Sequence, residues 1–154
     1  MSRTDIKMIN TNGEFDFAID PLTKDLTLEL SYDTDIMCSL FTDKRANESQ
    51  VRESFKRRGW FGDTISSSEI LIGSWLWLIE QARLTNKTVN SAVAYTKDCL
   101  QWMIDTNLCS SISVTGRKSD TDKLSITVKI YVKKNLVASY NISIWENSYY
   151  INKN

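Results

Sequence analysis

The sequence predicts an α+β fold: a β-hairpin at the N-terminus, about three helices in the middle and a three-stranded antiparallel sheet at the C-terminus. Three observations carry this reading. Apolar residues alternate with polar ones over the first twenty residues and again from Ile112 to Ile144, the period of strands that bury one face. Between them, Val89, Ala92, Val93, Thr96, Leu100, Met103 and Ile104 recur at the spacing of an amphipathic helix. With 154 residues, 42% apolar and 25% charged, the composition suits a single domain over 1–154 with one core.

Taken in order, Ile6 and Met8 and then Phe15, Phe17 and Ile19 alternate around Asn12-Gly13, a dipeptide that tolerates the positive φ of a tight hairpin turn. Pro21 and the polar residues to Lys24 end this hairpin, and the state of Leu26 to Leu30 is left open. Ile36, Met37, Leu40 and Phe41 fall at helical spacing after Asp33 and Asp35, either of which can serve as N-cap. The segment 44–66 has no sustained period and is rich in charge, so it is expected as a long irregular loop, the kind that usually carries function. Ser66 and Glu69 have the spacing of a capping box, and the apolar run from Ile70 to Ala82 that follows is read as a helix buried on all sides. Asn107 stands where the stripe of the next helix ends, a position that favours a left-handed residue. The strands beyond it are joined by Asp120-Thr121-Asp122 and Lys133-Lys134-Asn135.

Several classes of function are disfavoured by composition. Nineteen basic and nineteen acidic residues give zero net charge, so no overall field draws the chain to nucleic acid or to an anionic membrane. No apolar run reaches the length of a membrane span, and the start has no basic and apolar leader, so the expected site of synthesis is the cytoplasm. Cys38, Cys99 and Cys109 are odd in number, widely spaced and set among apolar residues, which suits reduced, buried thiols better than a disulfide framework or a metal site. There is no histidine and no phosphate-cradling glycine pattern, so no catalytic, metal or cofactor set is expected. Glu53, Asp63 and Glu69 formally permit two-carboxylate glycosidase chemistry, but a turn residue and a helix cap account for Asp63 and Glu69.

One cluster stands out. Lys56-Arg57-Arg58 beside Trp60-Phe61, bracketed by Gly59 and Gly62, could stack on a nucleic-acid strand. The same residue types fit a protein interface better, because Arg and Trp dominate energetic hot spots.

Six strings then occur in a characteristic order: Asp5-Ile6-Lys7, Gly13 to Phe17, Ser39 to Ala46, Arg57 to Asp63, Gly73 to Leu78 and Leu100 to Asp105. In this order and spacing they resemble the Mu-like phage baseplate protein family over nearly the whole chain, and Tyr140 to Trp145 agrees as well. Ala46 to Lys56 lacks the proline and glycine often found there in the family. More distantly the chain resembles the small wedge subunit of T-even tails, a group once compared with lysozyme. The resemblance implies a non-enzymatic subunit of a contractile tail, located in the virion baseplate and made in the host bacterial cytoplasm. It implies six copies, each clamping a helical bundle of two larger wedge proteins, contacting the first sheath ring and standing near tube or hub proteins, with no cofactor. On this reading Arg45, Arg57, Arg58, Gly59, Trp60, Phe61, Gly62, Asp63, Trp75 and Trp77 form the partner interface. Tyr140, Asn141, Ile142, Ser143, Ile144 and Trp145 form an exposed edge for a sheath strand, kept soluble by Lys123, Lys129, Lys133 and Lys134. Proline at Asn141 is then expected to block sheath assembly and leave the monomer folded. The alternative is a peptidoglycan-degrading, lysozyme-like tail protein.

Overall fold

The computed structural model describes residues 4–11, 14–65, 71–119, 123–145 and 148–153. The N-terminal strands are β1 (Asp5–Ile6), β2 (Met8–Thr11), β3 (Glu14–Phe17) and β4 (Leu28–Glu29). They are followed by α1 (Asp33–Phe41), the single turn α2 (Gly62–Ile65) and the long α3 (Asn86–Asp105). The C-terminal sheet contains β5 (Ser111–Ser119), β6 (Lys123–Val132), β7 (Asn135–Trp145) and β8 (Ser148–Lys153), in that order across the sheet. This is the α+β arrangement that the sequence predicts.

Alternation in the last third builds the core. Leu124, Ile126, Val128 and Ile130 of β6 face Ile144, Ile142, Tyr140 and Ala138 of β7 across an antiparallel register, and all eight are buried. Complete burial of a Leu, Ile or Val side chain stabilises by about 1.5–3 kcal/mol, so this double row is the largest apolar asset of the fold. A bulge at Ile130/Tyr131 leads to a turn in which Lys133 and Lys134 both have positive φ (49° and 69°), the twist that two-residue hairpins prefer. Ala92, Thr96, Cys99, Leu100 and Met103 supply the buried stripe of α3. Gly116 of β5 lets this helix come close, since a Cβ there would stand 2.7 Å from a Val93 methyl carbon.

The caps are local chemistry. Thr85 and Thr88 form a reciprocal capping box at the start of α3, just ahead of the apolar stripe. At its other end Asn107 has φ 59°, the left-handed conformation expected of it. The N-cap of α1 is Tyr32, with no side-chain cap bond, and Asp33 and Asp35 lie within the first turn instead of before it. Acidic side chains there favour the positive end of the helix dipole. Asp33 also accepts a 2.6 Å hydrogen bond from the buried Tyr140 hydroxyl, tying α1 to β7. Burial and this bond push the Tyr140 phenol pKa well up.

Four expectations need correction. The run from Ile70 to Ala82 is not an α-helix: Leu71 to Ser74 are irregular and only Leu76–Ile79 make a 3-10 turn. Gly73 at φ 110° turns the chain so that Ser74 can pair with Asp43 in a parallel bridge. Cys99 and Cys109 are buried as expected, but Cys38 is exposed, with its Sγ 3.9 Å from Met8 Sδ. A fourth strand, β8, joins the three expected in the last third. Consequently Tyr140 to Trp145 is not an edge, since residues 140 to 144 pair with β6 on one side and residues 140 to 145 with β8 on the other; the outer strands are β5 and β8. Lys123 and Lys129 lie on the interior strand β6, so they guard no edge. The capping box at Ser66 and Glu69 and the turns at 12–13 and 120–122 lie outside the described residues. Leu26 to Leu30, left open above, contribute the bridge of Leu26 to Ile19 and the strand β4.

Two measurements check this arrangement. Thiol titration near pH 8.5 should find one reactive cysteine, Cys38, in the native protein and all three after denaturation. Asn141→Pro should lose native circular dichroism or melt at much lower temperature, because proline cannot serve an interior strand. A folded Asn141→Pro monomer would contradict the register.

Candidate functional site

Over residues 44–65 the chain makes only a 3-10 turn at Ser54–Lys56 and the single turn α2, but it is fastened. Its start is held by the segment after Gly73: Ser74 N donates to Thr42 O (2.9 Å) and Lys44 N to Ser74 O (3.0 Å). Two indoles extend this seam, with Trp77 Nε1 donating to Lys44 O at 2.9 Å and Trp75 Nε1 to Arg45 O at 3.1 Å. Each such bond contributes about 0.5–1.5 kcal/mol net, and together they fix the path of the backbone beneath the loop. The same segment is rooted in the core through Leu76, which is buried, and through Ser74 Oγ, which donates to Leu40 O at 2.6 Å.

Cations lie over these rings. Lys44 Nζ is 4.6 Å from the Trp75 ring centroid and 2.8 Å from Asp98 Oδ2 on α3. The Arg58 guanidinium carbon lies 4.9 Å from the Trp77 ring centroid, while Nη1 bridges Asp43 (3.1 Å) and Glu80 (3.5 Å). Partial burial works to lower the Arg58 pKa, but the hydrogen bond and charge of Asp43, with Glu80, outweigh it and raise the value. Arg58 therefore serves as a cationic rivet between the loop and its floor.

Above the rivet the chain reverses. Arg58 (φ 41°) and Gly59 (φ 116°) are consecutive left-handed residues, and a Cβ at 59 would approach Arg45 Cβ to 2.7 Å. Arg45 Nη1 donates to Arg58 O at 3.2 Å, so Arg45 props the reversal from below. Gly62 is buried because the Trp60 indole lies against it, where any Cβ would overlap the ring. The aromatic pair is thereby placed on the outside: Trp60 is 44% and Phe61 70% exposed, with ring centroids 6.5 Å apart in an edge arrangement. Asp63 Oδ1 accepts Ile72 N at 3.3 Å and pins the far side of the loop.

The result is a cleft of 380 Å³ lined by Arg45, Arg58, Gly59, Trp60, Phe61, Asp63, Thr64 and Leu71. Six of the predicted interface residues meet here, and Gly62 sits directly beneath Trp60. Arg57 does not join them: it turns inward, its Nε donating to Val51 O (2.9 Å) and its Nη2 to Arg52 O (2.9 Å) and Glu48 (3.3 Å), and staples the loop. Trp75 and Trp77 form the floor and are partly buried. Thr64 and Leu71 escaped sequence reading as site residues, since a lone Thr in a charged loop gives no signal and Leu71 belongs to the apolar run that reads as a buried helix. Of the carboxylates, Glu53 pairs with Lys56 at 2.6 Å and Asp63 holds a backbone amide, while Glu69 lies outside the described residues. Among the described residues no cluster of metal-binding side chains occurs, and no helix is long and apolar enough to cross a membrane.

An α+β chain that displays an anchored, aromatic-tipped loop is the class of protein that fold and site define. It belongs to the Mu-like phage baseplate protein family. The family model of phage protein GP46 matches residues 32–136, a span that includes α1, the whole loop, α3 and β5 to the start of β7. The chain is similar to the baseplate protein gp46 of Escherichia phage Mu, with 33% identity over 139 residues that cover 89% of this chain and 93% of the relative. It is also similar to the Mu-like prophage FluMu protein gp46 of Haemophilus influenzae, with 28% identity over 127 residues that cover 82% and 86% of the two chains.

The geometry separates fastening from display. Gly59→Ala should lower stability by about 1–3 kcal/mol and open the loop to trypsin at Arg52, Arg57 and Arg58, because it forces a strained φ against Arg45. Phe61→Ala should change stability by no more than about 0.5 kcal/mol, since its ring is largely in solvent. Thermal melts with limited proteolysis distinguish the two.

Proposed function

We propose that this chain is a structural, non-enzymatic subunit of a phage tail baseplate, and that it works by docking to other baseplate proteins through the Arg45–Leu71 cleft. The observation that carries the reading is Trp60 with Phe61, exposed on a loop whose path is fixed from below by Trp75, Trp77 and Arg58. Exposed aromatics on a prefixed frame lose little conformational entropy on binding, which is what an energetic anchor requires. Membership of a family that includes a named baseplate protein of phage Mu supplies the setting.

In finer detail, the chain acts as one inner wedge domain, in six copies, of a contractile tail in the virion, after synthesis in the host cytoplasm. Its cleft receives helices of the larger wedge proteins. A strand platform for the first sheath ring falls to the outer strands β5 and β8, because β7 is interior. On β5 the exposed Arg117 and Lys118 are the charges that discourage unwanted pairing of that edge. Tube or hub proteins are further neighbours.

A pull-down from cells expressing the whole tail cluster, with this chain tagged, provides the test. Wild type should recover larger baseplate proteins and the sheath protein, and Trp60→Ala should lose the larger baseplate proteins while remaining folded. Recovery of no tail protein by wild type would overturn the reading. So would peptidoglycan turnover that disappears in Glu53→Gln or Asp63→Asn.

A further inference from the structure

The cations of the C-terminal sheet differ from those around the aromatic loop. Lys44, Lys56, Arg57 and Arg58 are each matched by a carboxylate of the same chain: Asp98, Glu53, Glu48 and Asp43 with Glu80, respectively. Residues 111–119 and 123–145 carry six basic side chains, Arg117, Lys118, Lys123, Lys129, Lys133 and Lys134, and no acidic one. All six are exposed, and among the described residues none of them is in an ion pair. Asp120 and Asp122, between β5 and β6, lie outside the described residues.

Two of these cations share a face beside the free edge of the sheet. Val114 of β5 and Leu124, Ile126 and Val128 of β6 are buried in the core. Alternation therefore puts Ser113, Thr115 and Arg117 on the opposite face, with Thr127 and Lys129 of β6. In the register Ser113 stands across from Lys129, and Thr115 from Thr127. Strand β5 has nine residues, about 30 Å of backbone, and among the described strands it pairs with β6 alone. Its outer row of N–H and C=O groups is free to take a further strand.

Charges on an edge strand commonly keep unwanted strands away, and Arg117 and Lys118 serve that purpose. Lys129 does not, because β6 is interior. It is an exposed cation one strand in from the edge, with only the small Ser113 between. Neighbouring strands lie about 4.8 Å apart, so an added strand would run about 10 Å from β6. A lysine and a glutamate together span that gap across a serine.

We infer that the strand received by β5 is acidic, with carboxylates at two positions four residues apart, one opposite Arg117 and one opposite Ser113 within reach of Lys129. The positions that alternate with these lie opposite Val114 and Gly116, on the side covered by α3, and carry apolar side chains. This rests on the reading of the outer strands as a platform for a partner strand, and it adds the chemistry and register of that strand. Of the two outer strands it selects β5. Like charges placed opposite one another are repelled, so the cations that turn away neutral or basic strands also choose the acidic one.

A photo-crosslinking amino acid at Thr115 in assembled tail particles provides the test, with the attached segment located by mass spectrometry. The expected segment belongs to another protein and has Asp or Glu at two positions four residues apart, with apolar residues at the alternate positions between them. Arg117→Glu with Lys129→Glu should lower this crosslink about tenfold or more. The purified variant should melt at the temperature of wild type, since both side chains are exposed. Replacing the two partner carboxylates by lysine should restore the crosslink to the reversed chain and weaken it to wild type, an outcome that misfolding cannot imitate. A crosslinked segment without such carboxylates, an undiminished crosslink to the reversed chain, or no restoration by the partner's reversal would overturn the inference and leave β5 a platform. Particles that assemble and give no crosslink from Thr115 would overturn the platform reading of β5 together with the inference.

Discussion

The facing rows of β6 and β7 are the constraint on which the rest of the described chain depends. Their register brings Ile126 to Ile142 and Val128 to Tyr140, and the surface so formed receives the stripe of α3 and, through Ile36 and Leu40, the inner side of α1. Tyr140 adds direction to this packing. A buried phenol needs a partner, and Asp33 at the first turn of α1 supplies one, so α1 is held at a defined height on the sheet. From the end of α1 the chain enters the loop, which means that the sheet register ultimately sets where the aromatic tip stands.

Between core and tip, the link is the segment from Gly73 to Glu80. It is nearly all apolar, yet it spends those residues on different tasks: Leu76 in the core, Trp75 and Trp77 as floor and as donors to two loop carbonyls. The rings also receive Lys44 and Arg58 on their faces, and each cation has an anionic partner, Asp98 in one case and Asp43 with Glu80 in the other. These exposed pairs are individually weak. Their value is positional, because they join loop, floor and α3 at points where backbone pairing has ended. Glycine completes the device at 59, where the chain turns back over Arg45, and at 62, where the Trp60 ring needs the space of a missing side chain.

Much of the fold was legible in the sequence for a plain reason. Alternation in β6 and β7 and the stripe of α3 are long, and long periodic signals are hard to imitate by chance. Asn107 was legible because few residues tolerate positive φ, and the Lys133-Lys134 turn because polar residues interrupt the alternation of the strands on either side. The helix expected over 70–82 failed because hydrophobicity on every face carries no period. In that run Gly73 decided the outcome, since its φ of 110° diverts the chain to pair with Asp43, a contact between residues thirty-one apart. Strand β8 was missed because Ser148–Lys153 is short and mixes polar with aromatic residues. That omission made an interior strand look like an edge. In the site, Trp60, Phe61 and the flanking glycines were visible as residue types, whereas the inward turn of Arg57 depends on carbonyls of Val51 and Arg52 that carry no sequence signal.

The claim at the centre of this account is that a loop fixed from below presents its aromatic tip to another subunit of the baseplate. Placing a photo-crosslinking amino acid at Phe61 in assembled tail particles tests it most directly, because that side chain is exposed and takes no part in the fastening. The account predicts a crosslink from position 61 to a baseplate subunit, identifiable by mass spectrometry, and none from a control position on the exposed face of α3 such as Gln101. Particles that assemble normally and crosslink at Phe61 to no protein would contradict it.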